Sequence, residues 1–442
     1  MIAAAASERP LWPGHDRRRQ ELSGSGPEWL RDLRERGLTR FAEVGFPTTR
    51  LEEWKATNVS PIAKTDFAPA DRSKTHAGLE LPPIAALDFG GPRLVFVDGR
   101  LADALSSPRT EANGIWVGTL ARAVESIPER VKPHLTRRDP TASPAFGALN
   151  SAFLEDGAVV LVEPGTDAGP PIHLVYLSTG ADRPTATHLR TVIAAGRESR
   201  VSIVETYVGA DDADVYLTNA ASEISADDQA QVEHYRIQAE SPGAFHISTQ
   251  NSRQTRDSRC SMHNINLGGR LVRHDIVSVL DGEGAYCRLN GLNLTRDRQH
   301  VDNHTVLDHA KPHGDSRELY KGILEGNSRT VFNGRIVVRP DAQKTDAKQS
   351  NRNLLLSKGA LAHARPQLEI YADDVRCTHG ATIGRLDENA VFYLRSRGLS
   401  DAEARNLLVG AFAGEVLELI EIEALRSHLE RTVTDRLREA TA

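Results

Sequence analysis

The chain has 442 residues, enough for two or three domains or one elongated one, and 54 basic against 60 acidic side chains give a formal charge of −6. The two signs are interspersed with no basic stripe, which argues against a nucleic-acid binder, and no apolar run approaches the roughly 20 residues of a membrane span. Aromatics make up only 5% of the chain, which counts against a large cofactor pocket walled by rings.

Met1–Arg19 has no signal-peptide pattern, because the apolar stretch is only Ile2–Ala6 and the basic run Arg17–Arg19 follows it. Three cysteines far apart in sequence add to this, and together they predict reduced thiols and a cytoplasmic protein. Pro27–Arg36 and Leu38–Val44 place Trp29, Leu30, Leu33, Leu38, Phe41 and Val44 at helical spacing, with Gly37 and Gly45 as stops. Pro47–Asn58 predicts a short capped element, Pro61 to about Gly91 an irregular stretch, and Arg93–Asp98 a strand closing in the Asp98-Gly99 turn. With two short helices expected between Thr119 and Asn150, residues 1–150 read as an N-terminal helical region.

Residues 151–385 differ in character. Short β-rich runs such as Val159–Val162, Ile172–Leu177, Val201–Val208, Val232–Ile237 and Leu271–Val279 alternate with Gly, Asn and Asp turns, which argues against a doubly wound α/β sheet. A weak repeat joins Ser199-Arg200-Val201, Ala230-Gln231-Val232, Ser258-Arg259-Cys260, Ala285-Tyr286-Cys287 and Ser328-Arg329-Thr330, whose third positions lie 31, 28, 27 and 43 residues apart. Coils of about 30 residues that bury their inner faces only by stacking suit a parallel β-helix. The repeat assigns Cys260 and Cys287 to the core as small hydrophobes and leaves Cys377 unassigned.

Residues 386–442 read as helical. Asp387 caps Glu388–Arg397, Gly398 stops it, and the capping box Ser400-Asp401-Ala402-Glu403 opens a helix to about Glu421. That helix presents Leu407, Leu408, Phe412, Glu415 and Leu419, with Gly410 and Gly414 spaced for close approach by another helix. A last helix runs Ile422–Ala440. Two roles fit this region: a cap on the β-helix end, or a docking surface for a partner.

The most informative segment is Tyr371–Gly384, Y-A-D-D-V-R-C-T-H-G-A-T-I-G. On a strand, Cys377 and His379 share one face, beside the paired acids Asp373 and Asp374. Thiolate and imidazole both ligate iron, zinc or copper, yet two ligands fall short of a site that needs three or four, so packing also accounts for the pair. His300, His304, His309 and His313 resemble a metal cluster, but the β-branched residues and Pro312 around them predict strand and turn, with the histidines bonded to Asp302, Asp308 and Asp315. Asn351 and Asn353 suit stacked amide ladders. No phosphate-binding loop, nucleophile elbow or His-Glu-x-x-His motif is present.

Five segments carry a family resemblance: F-P-T-T-R-L-E-E-W-K, V-D-N-H-T-V-L-D-H-A-K-P-H, Y-K-G-I-L-E-G-N-S-R-T-V-F-N-G-R-I-V-V-R-P-D-A-Q-K-T-D-A, L-E-I-Y-A-D-D-V-R-C-T-H-G-A-T-I-G and V-F-Y-L-R-S-R-G-L. From about Phe46 onward the chain resembles the SufB/SufD family of iron–sulfur cluster assembly proteins, on its SufD side. The resemblance implies a mainly β fold, a right-handed parallel β-helix core flanked by N- and C-terminal helical regions. It implies a non-enzymatic scaffold of the SUF system that pairs with a SufB-like subunit, docks a SufC-type ATPase and forms a homodimer when isolated, with no nucleic acid or membrane partner. A nascent iron–sulfur cluster would be held transiently at the SufB–SufD interface by His379, with Cys377 its neighbour, and the ATPase would dock on Ser400, Glu403, Leu407, Leu408, Phe412, Glu415 and Leu419. Two positions depart from the family pattern: Thr378 stands where Ser is usual, and His363 where an acid is. Two other classes are weighed. A polysaccharide-processing β-helix enzyme would rely on Lys344 with Asp341 and Asp346, and a purely structural homodimer would leave Cys377 inert.

Overall fold

A computed structural model of the protein describes residues 12–70, 78–107, 110–137, 144–180 and 183–439. The stretch Ile2–Ala6 and the end of the last helix at Ala440 lie outside them, as does part of the Pro61–Gly91 segment. The described chain is mostly β, a parallel solenoid of about eight turns with helical N- and C-terminal regions. From Gly157–Val162 onward each turn gives one strand to each of two sheets, so that consecutive strands lie in different sheets and each pairs in parallel with the strand two further on. The first sheet ends in strand Leu361–Ile370 and the second in strand Arg376–Gly384.

The corner into the second sheet repeats. Glu198, Gln229, Asp257, Gly284, His313 and Lys344 each adopt a positive φ two residues before a strand of that sheet begins. The register then fixes the columns that run along the solenoid. One inward column reads Val201, Val232, Cys260, Cys287, Ser316, Ala347 and Cys377, with 27 to 31 residues between neighbours. The repeat read from the sequence is therefore correct through Cys287 and then loses phase: Thr330 lies in the first sheet, opposite Val301 and Ala362. Cys377, which that repeat left unassigned, is the last member of the cysteine column.

Helices cover part of the outer face of each sheet. N-terminal helices lay Phe41, Phe46, Trp54, Phe146 and Phe153 against Leu217, Phe245, Ile247 and Leu271 of the first sheet. Gly37 does not stop a helix there: Glu28–Val44 is continuous, and a Cβ at Gly37 would stand 2.8 Å from Ala148 O and Ala152 N of the crossing helix Ala145–Ala152. Pro47–Asn58 forms only a single 3₁₀ turn, Glu52–Trp54, and among the described residues three helices, not two, lie between Thr119 and Ala152. Arg93–Val97 is a strand as expected and joins the second sheet beside Ile172–Ser178.

The F-P-T-T-R-L-E-E-W-K segment is fastened to the first sheet by buried charge. Arg273 stacks over the Trp54 ring at 3.7 Å and donates to Asp302 at 2.7 Å, Asp275 at 2.8 Å and Glu53 O at 2.8 Å. Asp302 also accepts from the Thr57 hydroxyl at 2.5 Å and sits 3.0 Å from His304 Nε2. Burial alone would raise the Asp302 carboxyl, but Arg273, His304 and the Thr57 hydroxyl hold it well below the usual carboxylate range. Truncating one member of a buried ion pair strands its partner. Asp302→Ala should therefore cost about 3–5 kcal/mol in urea unfolding at neutral pH. Because the folded pKa is depressed, this contribution is present above the unfolded value near 4 and lost as the pH falls towards the folded one. The gap between wild type and variant should narrow below about pH 4; a gap constant with pH, or below about 1 kcal/mol, contradicts the assignment.

Candidate functional site

A stacked parallel coil satisfies its backbone only where it has a neighbour on both sides. At the C-terminal end of this solenoid the last two strands have one neighbour each, Leu361–Ile370 on Arg329–Val338 and Arg376–Gly384 on Asp346–Leu355. Their outer edges are unpaired among the described residues. The C-terminal helices do not close this end. The helices Asp401–Leu417 and Glu423–Glu439 instead lie along the outer face of the second sheet, packing Val409, Ala413, Val416, Leu425 and Leu429 on Ile265, Leu292, Ile323 and Leu354. Of the two roles open to them, end cap is thus excluded.

What remains is an exposed cross-section of the solenoid interior. Ile370 is 40% exposed, Ile383 49% and the adjoining Tyr371 62%, high values for residues on or next to inward columns. Cys377 and His379 share this inward face with Ala381 and Ile383, so the expected i, i+2 arrangement holds. His379 is exposed. Cys377 is half-buried and packs against the interior cluster that contains Cys260, Cys287 and Ala347. Burial pushes the Cys377 thiol up, partly offset by a hydrogen bond with the Ala347 backbone, so at neutral pH it is a protonated thiol in the isolated chain. The acids before the strand turn elsewhere: Asp374 pairs with Lys344 and its backbone N–H donates to Gln343 Oε1 at 2.9 Å.

The neighbouring column holds residues that sequence reasoning missed. It reads Ile203, His234, Met262, Leu289, Glu318, Gln349 and His379, so His379 ends a line of buried groups. Gln349 donates to Glu318 Oε2 at 2.6 Å, and burial pushes the Glu318 carboxyl up to about 7 against the pull of Thr305 and Gln349. Stepping back from His379 by the coil period would have found both residues, had the repeat kept phase beyond Cys287.

The other singled-out residues fall into structural roles. His300 contacts Thr57, His304 contacts Asp302, and His309 turns inward to Ser316 at 2.9 Å. Among the described residues no group of three or more His, Cys, Asp or Glu is placed to hold a metal ion. Asn353 donates to Asn351 at 2.7 Å inside the solenoid, but along one strand and with Gly322 and Tyr320 as their neighbours in the adjacent coil, so the expected stacked ladder does not form there. A cross-coil amide pair is found instead at Asn266–Asn293, 2.7 Å apart. Lys344 meets Asp374, while Asp346 pairs with Arg317 at 2.9 Å, so the Lys344, Asp341 and Asp346 set does not converge.

On the C-terminal helices the capping box forms as read: Ser400 Oγ accepts from Glu403 N–H at 3.2 Å, and Glu403 accepts from Ser400 N–H at 2.8 Å. The helix ends at Leu417, so Leu419 lies in the turn beyond it. Leu407 is 53% exposed, and the preceding helix adds Phe392 at 72% and Tyr393 at 57%. Leu408 is half-buried. Phe412 and Glu415 clasp buried Lys321, whose ammonium lies 4.2 Å from the Phe412 ring centre, 2.8 Å from Phe412 O and 2.7 Å from Glu415. The thiol environments give a direct check: in native protein held monomeric by dilution, iodoacetamide should label Cys377 alone, slowly at pH 7 and faster as the pH rises. Burial holds Cys260 and Cys287 protonated, Cys287 up to about 12, so they should react only after unfolding. Peptide mass mapping that found Cys260 or Cys287 labelled first would contradict the column.

Comparison with known proteins accords with this geometry. Residues 176–412 match the family model "SUF system FeS cluster assembly, SufBD core domain", and residues 11–174 match "SufBD protein N-terminal region". An iron–sulfur cluster assembly SufBD family protein of Synechocystis is 33% identical, covering 94% of this chain and 93% of that protein. The iron–sulfur cluster assembly protein SufD of Escherichia coli is 31% identical over 90% of this chain and 91% of its own length, and SufD of Bacillus subtilis 24% identical over 93% and 95%. No helix among the described residues is long and apolar enough to cross a membrane. The chain belongs to the SufB/SufD family, and its role lies in iron–sulfur cluster assembly.

Proposed function

We propose that this chain is a non-enzymatic, cytoplasmic scaffold subunit that joins a SufB-like subunit end to end, with a nascent iron–sulfur cluster as cargo at the junction. The observation that carries this reading is the open last coil, which sets His379 and Cys377 in an exposed apolar cross-section bounded by two free strand edges. A second solenoid end of the same kind satisfies those edges by strand addition and covers Ile370, Tyr371 and Ile383. It also supplies the ligands that two side chains lack, since a cluster takes about four protein ligands. The imidazole of His379 needs no deprotonated thiol to bind iron, whereas Cys377 becomes a ligand only when metal displaces its proton. In the absence of the SufB-like subunit the same end pairs with a second copy of this chain.

The C-terminal helices provide the second surface, for a SufC-type ATPase. Phe392, Tyr393 and Leu407 form its exposed apolar part, and Gly410 meets open space within 4 Å of its missing Cβ. Phe412 and Glu415 serve it indirectly, by holding the helix on Lys321. ATP hydrolysis by that partner then transmits force through the helices to the solenoid and its end. The polysaccharide-enzyme reading lacks a convergent Lys–Asp groove, and a purely structural dimer leaves His379 without a task.

His379→Ala should leave the complex with both partners intact by size-exclusion chromatography and lower iron–sulfur cluster formation at least tenfold by absorption and iron content; cluster formation at the wild-type level rules out the ligand role. Leu407→Asp should weaken ATPase binding at least tenfold, about 1.4 kcal/mol, by calorimetry without changing the melting temperature. Unchanged affinity would move the docking surface elsewhere.

A further inference from the structure

The column beneath His379 contains an unmet requirement. Gln349 is 3% exposed, and its amide nitrogen is committed to Glu318 Oε2 at 2.6 Å. Its carbonyl, Gln349 Oε1, is buried with no hydrogen-bond partner. A buried amide oxygen without a donor costs about 1–3 kcal/mol, and such acceptors are nearly always paired. The in-register neighbour of Gln349 on the outer side is His379, one strand spacing of about 4.8 Å away and on the same inward face. His379 is the one residue of the terminal strand's inward face that carries a ring N–H.

The space around Gln349 is shaped for its amide. Gly334 stands opposite in the first sheet with an ordinary negative φ, so its backbone does not require glycine. A Cβ there would meet Gln349 Nε2, at 2.4 Å, and the Phe332 ring. The amide thus occupies room left by a missing side chain, and Glu318, itself 3% exposed, anchors it from the coil beneath.

We propose that Gln349, clamped by Glu318, is a positioning residue for His379: its carbonyl accepts the imidazole N–H, fixes the tautomer and turns the other ring nitrogen towards the interface. This deepens the functional reading above and rests on His379 being a cluster ligand. A histidine that ligates metal through one nitrogen needs the other held, and a buried amide carbonyl does this without adding charge. Ionised Glu318 keeps the amide from flipping, since its carboxylate takes the NH₂ side and leaves the carbonyl oxygen free to accept from His379.

The test uses ¹⁵N-histidine-labelled full-length protein, with the His379 signals assigned by their loss in His379→Ala. In the wild type one ring nitrogen of His379 should carry the proton predominantly. In Gln349→Met the tautomer ratio should move at least fivefold towards that of free imidazole, and Glu318→Gln, whose own amide offers a donor as well as an acceptor and so frees Gln349 to flip, should move it in the same direction. If Gln349→Met leaves Glu318 unpaired and fails to fold, Gln349→Met with Glu318→Leu removes both polar groups together and gives the same readout. An unchanged tautomer ratio in the folded variant overturns the positioning role. Cluster formation in the reconstituted complex separates the two claims. Loss in His379→Ala with an unmoved tautomer in Gln349→Met sinks the positioning role alone, whereas a moved tautomer with normal cluster formation in His379→Ala sinks the ligand reading beneath it.

Discussion

Parallel stacking is the constraint on which the rest of this structure depends. No coil of the solenoid buries its own inner face or satisfies its own backbone; each does so through the coil before and after it. The debt is handed from coil to coil and comes due at the end. At Leu361–Ile370 and Arg376–Gly384 it appears as two unpaired strand edges and a cross-section in which Ile370 and Ile383 are 40% and 49% exposed. Natural sheets normally cover or charge such edges. Here the helices Asp401–Leu417 and Glu423–Glu439 lie on the second sheet's flank instead. The end therefore stays open among the described residues.

In the function proposed above, that geometry makes the Cys377–His379 pair half of a site. Cys377 and His379 are the terminal members of two inward columns, and inward means something different in the last coil than in the others. Cys260 and Cys287 occupy the same column as Cys377 and are sealed, with thiols that burial keeps protonated. Cys377 has the same backbone geometry with one wall removed. Position along the stack, not local sequence, separates a packing cysteine from a candidate ligand.

Much of this was legible in the sequence. The roughly 30-residue period, the strand-rich middle, the helical ends, the capping box at Ser400 and the shared face of Cys377 and His379 all follow from local pattern, which is where single-chain reading is strongest. The failures are long-range. Gly37 read as a helix stop because a glycine's close contact with Ala148 and Ala152 leaves no local trace. The repeat slipped to Thr330 because both sheets use the same small–polar–β-former words, and only hydrogen-bond register tells them apart. Glu318 and Gln349 were missed for that reason. The hold of Phe412 and Glu415 on Lys321 went unseen because Lys321 lies 91 and 94 positions earlier in the chain. The fastening of Trp54 by Arg273 spans a still greater distance and was invisible for the same cause.

The polar interior also bears on the balance between stability and assembly. Buried networks such as Arg273–Asp302 and Gln349–Glu318 specify register more than they add net stability, because a slip by one coil would leave charges unpaired. The end-to-end pairing proposed above would need such a fixed register, since edge pairing and ligand placement would share one geometry. The most direct measurement of this account is hydrogen–deuterium exchange at the amides of Arg376–Gly384, in the chain held monomeric by dilution and in its complex with a SufB-like subunit. The account predicts fast exchange in the monomer and at least hundredfold protection in the complex, confined to the two terminal strands. Equal exchange in both states, or protection that falls on the sheet flanks while the terminal strands stay open, would contradict it.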